Sequence, residues 1–231
     1  MFMNKISALI LAFSFIFAIQ LKAQISEGNV TYAVKMDAAS LNDPQAAMLL
    51  QATTANLTFK DDKLKFGISM MGMINVQFIL DHKAQAGLSL IDMMGQKSSS
   101  PLNKEDYKKL VSTLPQGIYT ATNETAEYAG YKAKAYTTPP MEEAGQKIGI
   151  KFFMAEDLNP KNKNLLKPFL GDVKGFPIAI EINAGETGSF LLYAVDVDKS
   201  AINKSTFSLK APKDYPEKSM EELMKNIPLG Q

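Results

Sequence analysis

The segment that most constrains the fold is 63–94, because apolar and polar residues alternate along most of it. The alternating apolar positions are Leu64, Phe66, Ile68, Met70, Ile74, Val76, Phe78 and Leu80. A period of two residues is typical of a β-strand with one buried face. Gly72 and the polar stretch 81–85 interrupt the alternation. The segment therefore predicts three consecutive strands, the third over Gly87–Met94, and their short connections favour antiparallel pairing.

The same criteria predict strands and a few helices in the rest of the chain. The other predicted strands are Gly28–Met36, Asn56–Lys60, Ile118–Glu127, Tyr131–Thr137, Ile148–Met154, Phe176–Ile182, Phe190–Val197 and Thr206–Leu209. The predicted helices are Asp43–Ala52, Asn103–Leu114, one turn over 165–169, and a C-terminal helix that Ser219 and Glu222 begin as a capping box. A sheet of about nine or ten strands must curl or be covered. We therefore predict an α+β, mostly β fold, in which two or three helices cover the concave face of a curved antiparallel sheet or incomplete β-barrel.

The N-terminal residues have the layout of a secretory signal peptide. Lys5 precedes an apolar run over 6–19, and the small residue Ala23 stands before the expected cut. The run is shorter than the roughly 20 residues that a membrane span needs. We expect cleavage after Ala23, a single domain over 24–231, and a periplasmic or secreted protein.

Composition excludes several classes of function. The chain has no Cys, so neither disulfides nor a lipid-anchored N-terminal Cys is expected. Removal of Lys5 and Lys22 would leave 23 of the 25 basic residues against 24 acidic ones, a net charge of −1, and no residue is Arg. Near-neutral charge without Arg argues against nucleic-acid binding. After the signal peptide no apolar run is long enough to span a membrane.

Candidate catalytic and metal-binding residues are few. His82 is the only histidine and falls in a predicted turn, where we expect it to be solvated. Without Cys and with a single His, a zinc site is not expected, and the sequence predicts no enzyme and no cofactor. Methionines cluster over 70–94 and are soft ligands that suit copper(I). Alternation is expected to point Met71 and Met93 away from the other sulfurs, which favours the interpretation that these methionines fill core space.

An apolar concave face under helices suits a greasy ligand better than it suits catalysis. The predicted ligand-binding residues are Phe66, Ile68, Met70, Ile74, Val76, Phe78 and Leu90. We expect an exported, non-enzymatic binding protein whose partner is a lipid, an acyl chain or a lipoprotein segment. The alternative is a structural or protein-interaction module of the cell envelope, whose helices pack on this face and leave no cavity.

Several short segments, in order along the chain, resemble a family of secreted Bacteroidetes-type proteins, the domain of unknown function 4412. The matching segments are 27–32 (EGNVTY), 92–97 (DMMGQK), 129–134 (AGYKAK), 175–178 (GFPI) and 220–223 (MEEL). The family often has Cys at the position of Ala133. The resemblance implies a fold similar to the LolA/LolB lipoprotein carriers, an incomplete antiparallel barrel with a helical lid over an apolar cavity.

Overall fold

The computed structural model describes residues 24–36, 52–113, 119–143, 146–162, 165–183, 189–219 and Glu222. The predicted signal peptide (1–23) and most of the predicted helix Asp43–Ala52 lie outside these residues. The strands are β1 (Glu27–Met36), β2 (Thr53–Lys60), β3 (Lys63–Met70), β4 (Ile74–Asp81), β5 (Ala86–Met93), β6 (Gln96–Leu102), β7 (Thr120–Tyr128), β8 (Tyr131–Thr137), β9 (Met141–Glu143), β10 (Gln146–Ala155), β11 (Phe176–Asn183) and β12 (Ser189–Asp198). The α-helices are α1 (Lys104–Thr113) and α2 (Lys167–Leu170), and Lys204–Phe207 form a 3-10 helix.

The strands form one long antiparallel sheet, which confirms the mostly β prediction. Their order is β6-β5-β4-β3-β2-β1-β12-β11-β10-β8-β7, and β9 pairs with β10 beside this path. The two end strands, β6 and β7, have no ladder to each other among the described residues, so the sheet is open. The central pairing of β1 with β12 joins the first and last of the described strands. The β1–β12 pairing therefore joins an N-terminal half of the sheet, β1–β6, to a C-terminal half, β7–β12.

The register of β3 and β4 confirms the alternation in the sequence. Phe66 lies opposite Phe78 and Ile68 lies opposite Val76. Directly opposed residues share one face of a sheet, and we call this the inner face. A turn with Met71 and Gly72 at positive φ joins the two strands.

The prediction for β5 is wrong by one residue of register. Leu90 lies opposite Gln77, whereas Ile91 lies opposite Val76. Because successive side chains alternate between faces, a shift of one residue reverses every assignment in the strand. Leu90 therefore faces outward, and Met93, opposite Ile74, shares the inner face.

A C-terminal strap, which we define as residues 199–219, covers the outer face of β4 and β5. Phe207, at the end of the 3-10 helix, is buried against Ile79, Leu88 and Leu90. The predicted strand Thr206–Leu209 is thus wrong: Asn203 accepts a hydrogen bond from the Ser205 amide at 3.0 Å and begins a 3-10 turn instead.

The strap also pairs with β6, a strand that the sequence did not predict. The Ser99 amide donates to the Pro216 carbonyl (2.9 Å), and the Lys218 amide donates to the Ser99 carbonyl (2.8 Å). Residues 98–100 of this strand are serines, so the sequence shows no apolar alternation there, although all three side chains are buried. β6 is the end strand of the sheet, so the nitrogen of Pro101 can face away from the β5 ladder and no ladder hydrogen bond is lost.

The helix predicted over Asn103–Leu114 is confirmed as α1. The Asn103 side chain caps it by accepting from the amides of Glu105 (2.8 Å) and Asp106 (3.1 Å). The predicted turn at 165–169 corresponds to α2. The Ser219 and Glu222 side chains each accept from the other's backbone amide, at 3.2 and 2.9 Å, which confirms the capping box. The rest of the predicted C-terminal helix lies outside the described residues.

Candidate functional site

An apolar cavity of about 400 Å³ lies between the two halves of the sheet. Its lining residues are Tyr32, Leu57, Leu64, Phe66, Phe78, Leu80, Leu110, Ile150, Phe152, Leu166, Leu170, Pro177, Ile180, Ile182 and Leu192. None of these side chains is charged. The volume falls within the range of small-molecule sites, and an apolar lining is typical of them.

Both halves of the sheet contribute alternate residues to this wall. In the C-terminal half, Ile180 lies opposite both Leu192 and Phe152, so β10, β11 and β12 present one continuous apolar face. In the N-terminal half, Leu57 lies opposite Phe66, which in turn lies opposite Phe78. The β1–β12 pairing sets the two faces side by side.

Among the described lining residues, the one side chain with a polar group already has a partner. The Tyr32 hydroxyl is buried and donates to the Pro177 carbonyl oxygen at 2.6 Å. Burial raises the pKa of this phenol, so it stays protonated and neutral. A ligand in the cavity therefore meets hydrocarbon and a hydroxyl that is already bonded.

Helical residues also line the cavity. Leu110, on the apolar stripe of α1, lines the cavity from one side. Leu166 and Leu170, which bracket α2, line it from another and pack in a cluster with Phe152 and Ile180. Residues of α1 and α2 therefore lie beside the inner face.

The predicted site residues fall in three places. Phe66 and Phe78 line the cavity. Ile68, Val76, Met70 and Ile74 continue the same inner face toward the β3–β4 turn and are half-buried. Leu90 faces outward under the strap, so its assignment to the concave face is wrong.

Sequence reasoning missed the C-terminal half of the wall. The alternation of Phe176–Ile182 indicated a strand with one apolar face, but no local pattern states which strand lies beside which. The missed lining residues are Ile150, Phe152, Pro177, Ile180, Ile182 and Leu192. The β1–β12 pairing, between residues more than 150 positions apart, places these residues in the same sheet as Phe66 and Phe78.

A second, polar cavity of about 380 Å³ adjoins the first. Leu166 lines both. The polar cavity also contains Lys167, Asp172 and Lys174, and the ammonium of Lys167 lies 3.0 Å from a carboxylate oxygen of Asp172. An apolar space and a polar space that share a wall residue form a combination suited to an amphiphile.

His82 lies in the turn after β4, as predicted, but it is half-buried and not solvated. Its Nδ1 is 2.5 Å from the Tyr107 hydroxyl on α1. Burial lowers the pKa of His82, although the carboxylates of Asp62 and Asp81 oppose this shift. The imidazole is therefore mainly neutral at pH 7, and its ring joins the β4 turn to α1.

Five methionines lie at one end of the sheet, and the prediction that Met93 points away from the inner face is wrong. Met70 and Met93 both lie opposite Ile74 on the inner face. Met71 and Met73 belong to the β3–β4 turn and Met94 to the β5–β6 turn. The Met94 amide donates to the Met73 carbonyl at 2.7 Å, so the two turns are neighbours.

The described residues contain neither a metal-binding cluster of His, Cys, Asp or Glu nor a membrane-spanning helix. No group of three or more His, Cys, Asp or Glu side chains there is arranged to hold a metal ion. Within the same residues, no helix has the length and apolar character needed to cross a membrane.

Comparison with known proteins bears on the fold of this chain and not on its function. No family model matches the chain, and no curated protein matches it. Two crystal forms of PNGF-II superpose with TM-scores of 0.50 and 0.48 at 14% and 13% identity, covering 88% and 86% of this chain. The chain spans only 33% and 32% of PNGF-II in those structures. The complex of MucA and MucB from Pseudomonas aeruginosa gives a TM-score of 0.34 at 8% identity, over 81% of this chain and 56% of that chain.

Proposed function

We propose that this protein is an exported, non-enzymatic binding protein that holds the hydrocarbon part of a lipid, an acyl chain or a lipoprotein segment. The observation that carries the proposal is the apolar cavity of about 400 Å³ between the halves of the sheet. Its existence among the described residues supports a ligand site over an interior packed only with the protein's own side chains. Export, a LolA/LolB-like role and membership of the domain of unknown function 4412 family are parts of the same proposal, and they rest on the sequence.

The cavity wall offers almost no hydrogen-bonding groups to a ligand, and this determines which ligands can bind. Burying a polar group without a hydrogen-bond partner costs a few kcal/mol, and this wall offers a single hydroxyl that already bonds to Pro177. The buried part of the ligand is therefore a plain hydrocarbon. A volume of about 400 Å³ holds on the order of a dozen methylene groups, if each takes about the 30 Å³ of a water molecule.

The polar cavity next to Leu166 gives a place for a headgroup. Lys167 and Lys174 supply cationic groups there, and Asp172 supplies one carboxylate. Among the described lining residues the cations exceed the anion by one, which favours a carboxylate or phosphate over a cationic headgroup.

Direct binding tests the proposal. We expect the purified protein to bind dansyl-labelled undecanoic acid with enhanced, blue-shifted fluorescence, and to carry an amphiphile visible by native mass spectrometry. Ile180→Trp should abolish binding, because Ile180 projects into the cavity from β11 and the larger ring fills its space. Val195→Trp makes a similar enlargement at a position on β12 that is 49% exposed and outside the cavity wall, and should leave binding unchanged.

Circular dichroism must show that both variants fold. Equal binding by Ile180→Trp and the unaltered protein would place the probe elsewhere and refute the cavity as the site. A protein that arrives empty and fails to bind the probe, but retains an envelope protein on purification, would favour the interaction module.

A further inference from the structure

The β3–β4 and β5–β6 turns expose apolar side chains where a soluble surface normally has polar ones. Among the described residues, only four large hydrophobic side chains are exposed, and three of them are Met71 (42%), Met73 (43%) and Met94 (77%). All three lie at this one tip, which we call the methionine tip. A packing role does not explain apolar side chains that are 42% to 77% exposed to water.

Two of the three exposed methionines also have an unfavourable backbone conformation. Met71 has a φ of 50° and Met94 a φ of 53°, and each is followed by a glycine at positive φ. A long side chain in the left-handed region is unfavourable, and turn positions of this kind favour Asn, Asp or Gly. Asp61, Gln85 and Ala129 share this conformation in other turns, so backbone strain alone does not mark a site. What distinguishes Met71 and Met94 is that they are exposed and lie in neighbouring turns.

The thioether is the property that distinguishes Met from the other residues these turns could use. Asn would relieve the backbone, and Leu would offer as much apolar surface, but only Met provides a soft sulfur ligand. The backbone hydrogen bond from Met94 to Met73 holds the turns together, and the Met73 amide donates to the Met70 carbonyl at 3.0 Å within the first turn. These backbone hydrogen bonds therefore bring three thioether-bearing residues into neighbouring turns.

The surroundings of the tip select against hard or divalent ions. The nearby carboxylate, Asp92, accepts a hydrogen bond from the Gly95 amide at 2.9 Å and so caps its own turn. The described residues contain no cluster of His or carboxylate ligands, which zinc, calcium or magnesium would require. Neutral thioethers favour a soft monovalent cation.

We propose that the methionine tip binds copper(I) through the sulfurs of Met71, Met73 and Met94. This site is independent of the apolar cavity and of any lipid bound there. The metal keeps its oxidation state on binding, and no bond in the protein is made or broken.

Titration with copper(I) under anaerobic, reducing conditions tests the proposal, with bicinchoninate as the competing chelator. We expect one equivalent to bind, and the Met71→Leu/Met73→Leu/Met94→Leu triple variant to lose at least tenfold in affinity. Leu retains the apolar surface while it removes the sulfur. Met154→Leu changes a methionine that is 1% exposed and away from the tip, and it should bind as the unaltered protein does.

Silver(I) provides a second measurement, since it has the same ligand preference without redox chemistry. In protein labelled at the methionine methyl groups, NMR should show the Met71, Met73 and Met94 resonances shifting on silver addition while Met154 stays in place. Unchanged copper(I) affinity in a folded triple variant, or methyl shifts elsewhere only, would overturn the site. Either result would favour an apolar docking role for the exposed methionines. The triple leucine variant would keep that role, because it preserves the apolar surface.

Discussion

Replacing the methionines of the tip one at a time by Asn separates backbone strain from side-chain burial. A non-glycine residue in the left-handed region costs roughly 1–2 kcal/mol, and Asn tolerates that region better than Met. Burying a whole Met side chain contributes about 1.5–3 kcal/mol. The balance between these two quantities differs among Met94, Met71 and Met73, because only the first two have positive φ.

Exposure decides the sign of each substitution. Met94 is 77% exposed, so Asn gives up about 0.5 kcal/mol of burial and relieves more strain than that. We expect Met94→Asn to raise the free energy of unfolding by about 1 kcal/mol. Met71 is 42% exposed, so its loss of burial, about 1–1.5 kcal/mol, cancels the relief and leaves stability nearly unchanged. Met73→Asn relieves nothing and should cost about 1 kcal/mol.

Urea unfolding followed by far-UV circular dichroism measures the free energy of unfolding of all three variants. An unchanged m-value shows that a substitution has altered stability and not the surface exposed on unfolding. For a chain of this size, about 1 kcal/mol corresponds to a shift of about 2–4 °C in Tm. If Met94→Asn is no more stable than the unaltered protein while Met73→Asn loses the expected amount, the strain argument is wrong. The same variants should bind copper(I) more weakly, so stability and binding would change in opposite directions at Met94.

Two further predictions concern buried polar groups. The Ser89 hydroxyl is buried with no hydrogen-bond partner among the described residues, so Ser89→Ala should raise the free energy of unfolding by about 1 kcal/mol. Ser99→Ala removes a 3.0 Å hydrogen bond to the Tyr215 carbonyl and should instead lower the free energy of unfolding. Equal effects of the two substitutions would show that Ser89 is not an unsatisfied donor. Because folding lowers the pKa of His82 below its ordinary value of 6.5, the unfolded chain takes up the proton first as pH falls below about 6.5, and stability declines there. His82→Gln should show a smaller fall in Tm between pH 7.5 and 5.5, and an identical fall would assign the pH dependence to other groups.

Strands with one buried face could be predicted from the sequence together with their register. For β5, which is buried on both faces, the strand was predicted but its register was not, and the serine-rich β6 was missed. In β3, a single alternating series ends at Met70, and its register in the structure agrees with it. In β5, Leu88 and Leu90 are apolar on one face while Ile91 and Met93 are apolar on the other. Alternation carries no information when both faces are apolar, so the choice of Leu90 as a concave residue had no physical basis in the strand itself.

Long-range pairing explains the other omissions. Ser98–Ser100 form a buried strand because the strap supplies hydrogen bonds at the sheet edge, through Pro216 and Lys218. Half of the cavity wall depends on β1 meeting β12. Both contacts join residues more than a hundred positions apart, and no local propensity reports them. Helix α1 was predictable because its cap and its apolar stripe are local.

The strap also explains how this sheet can keep a cavity on its inner face. A sheet needs apolar burial on at least one face to be stable, and an empty inner face gives up part of that burial. On β4 and β5 the outer face supplies it instead, through Ile79, Leu88 and Leu90 packed under Phe207. The strap is fixed at both ends: the Ile202 amide donates to Glu27 at 2.7 Å, and Lys97 pairs with Asp214 at 2.6 Å. Packing from behind therefore stabilises this part of the sheet without filling the space in front of it, so a ligand can occupy the cavity at little cost to the fold.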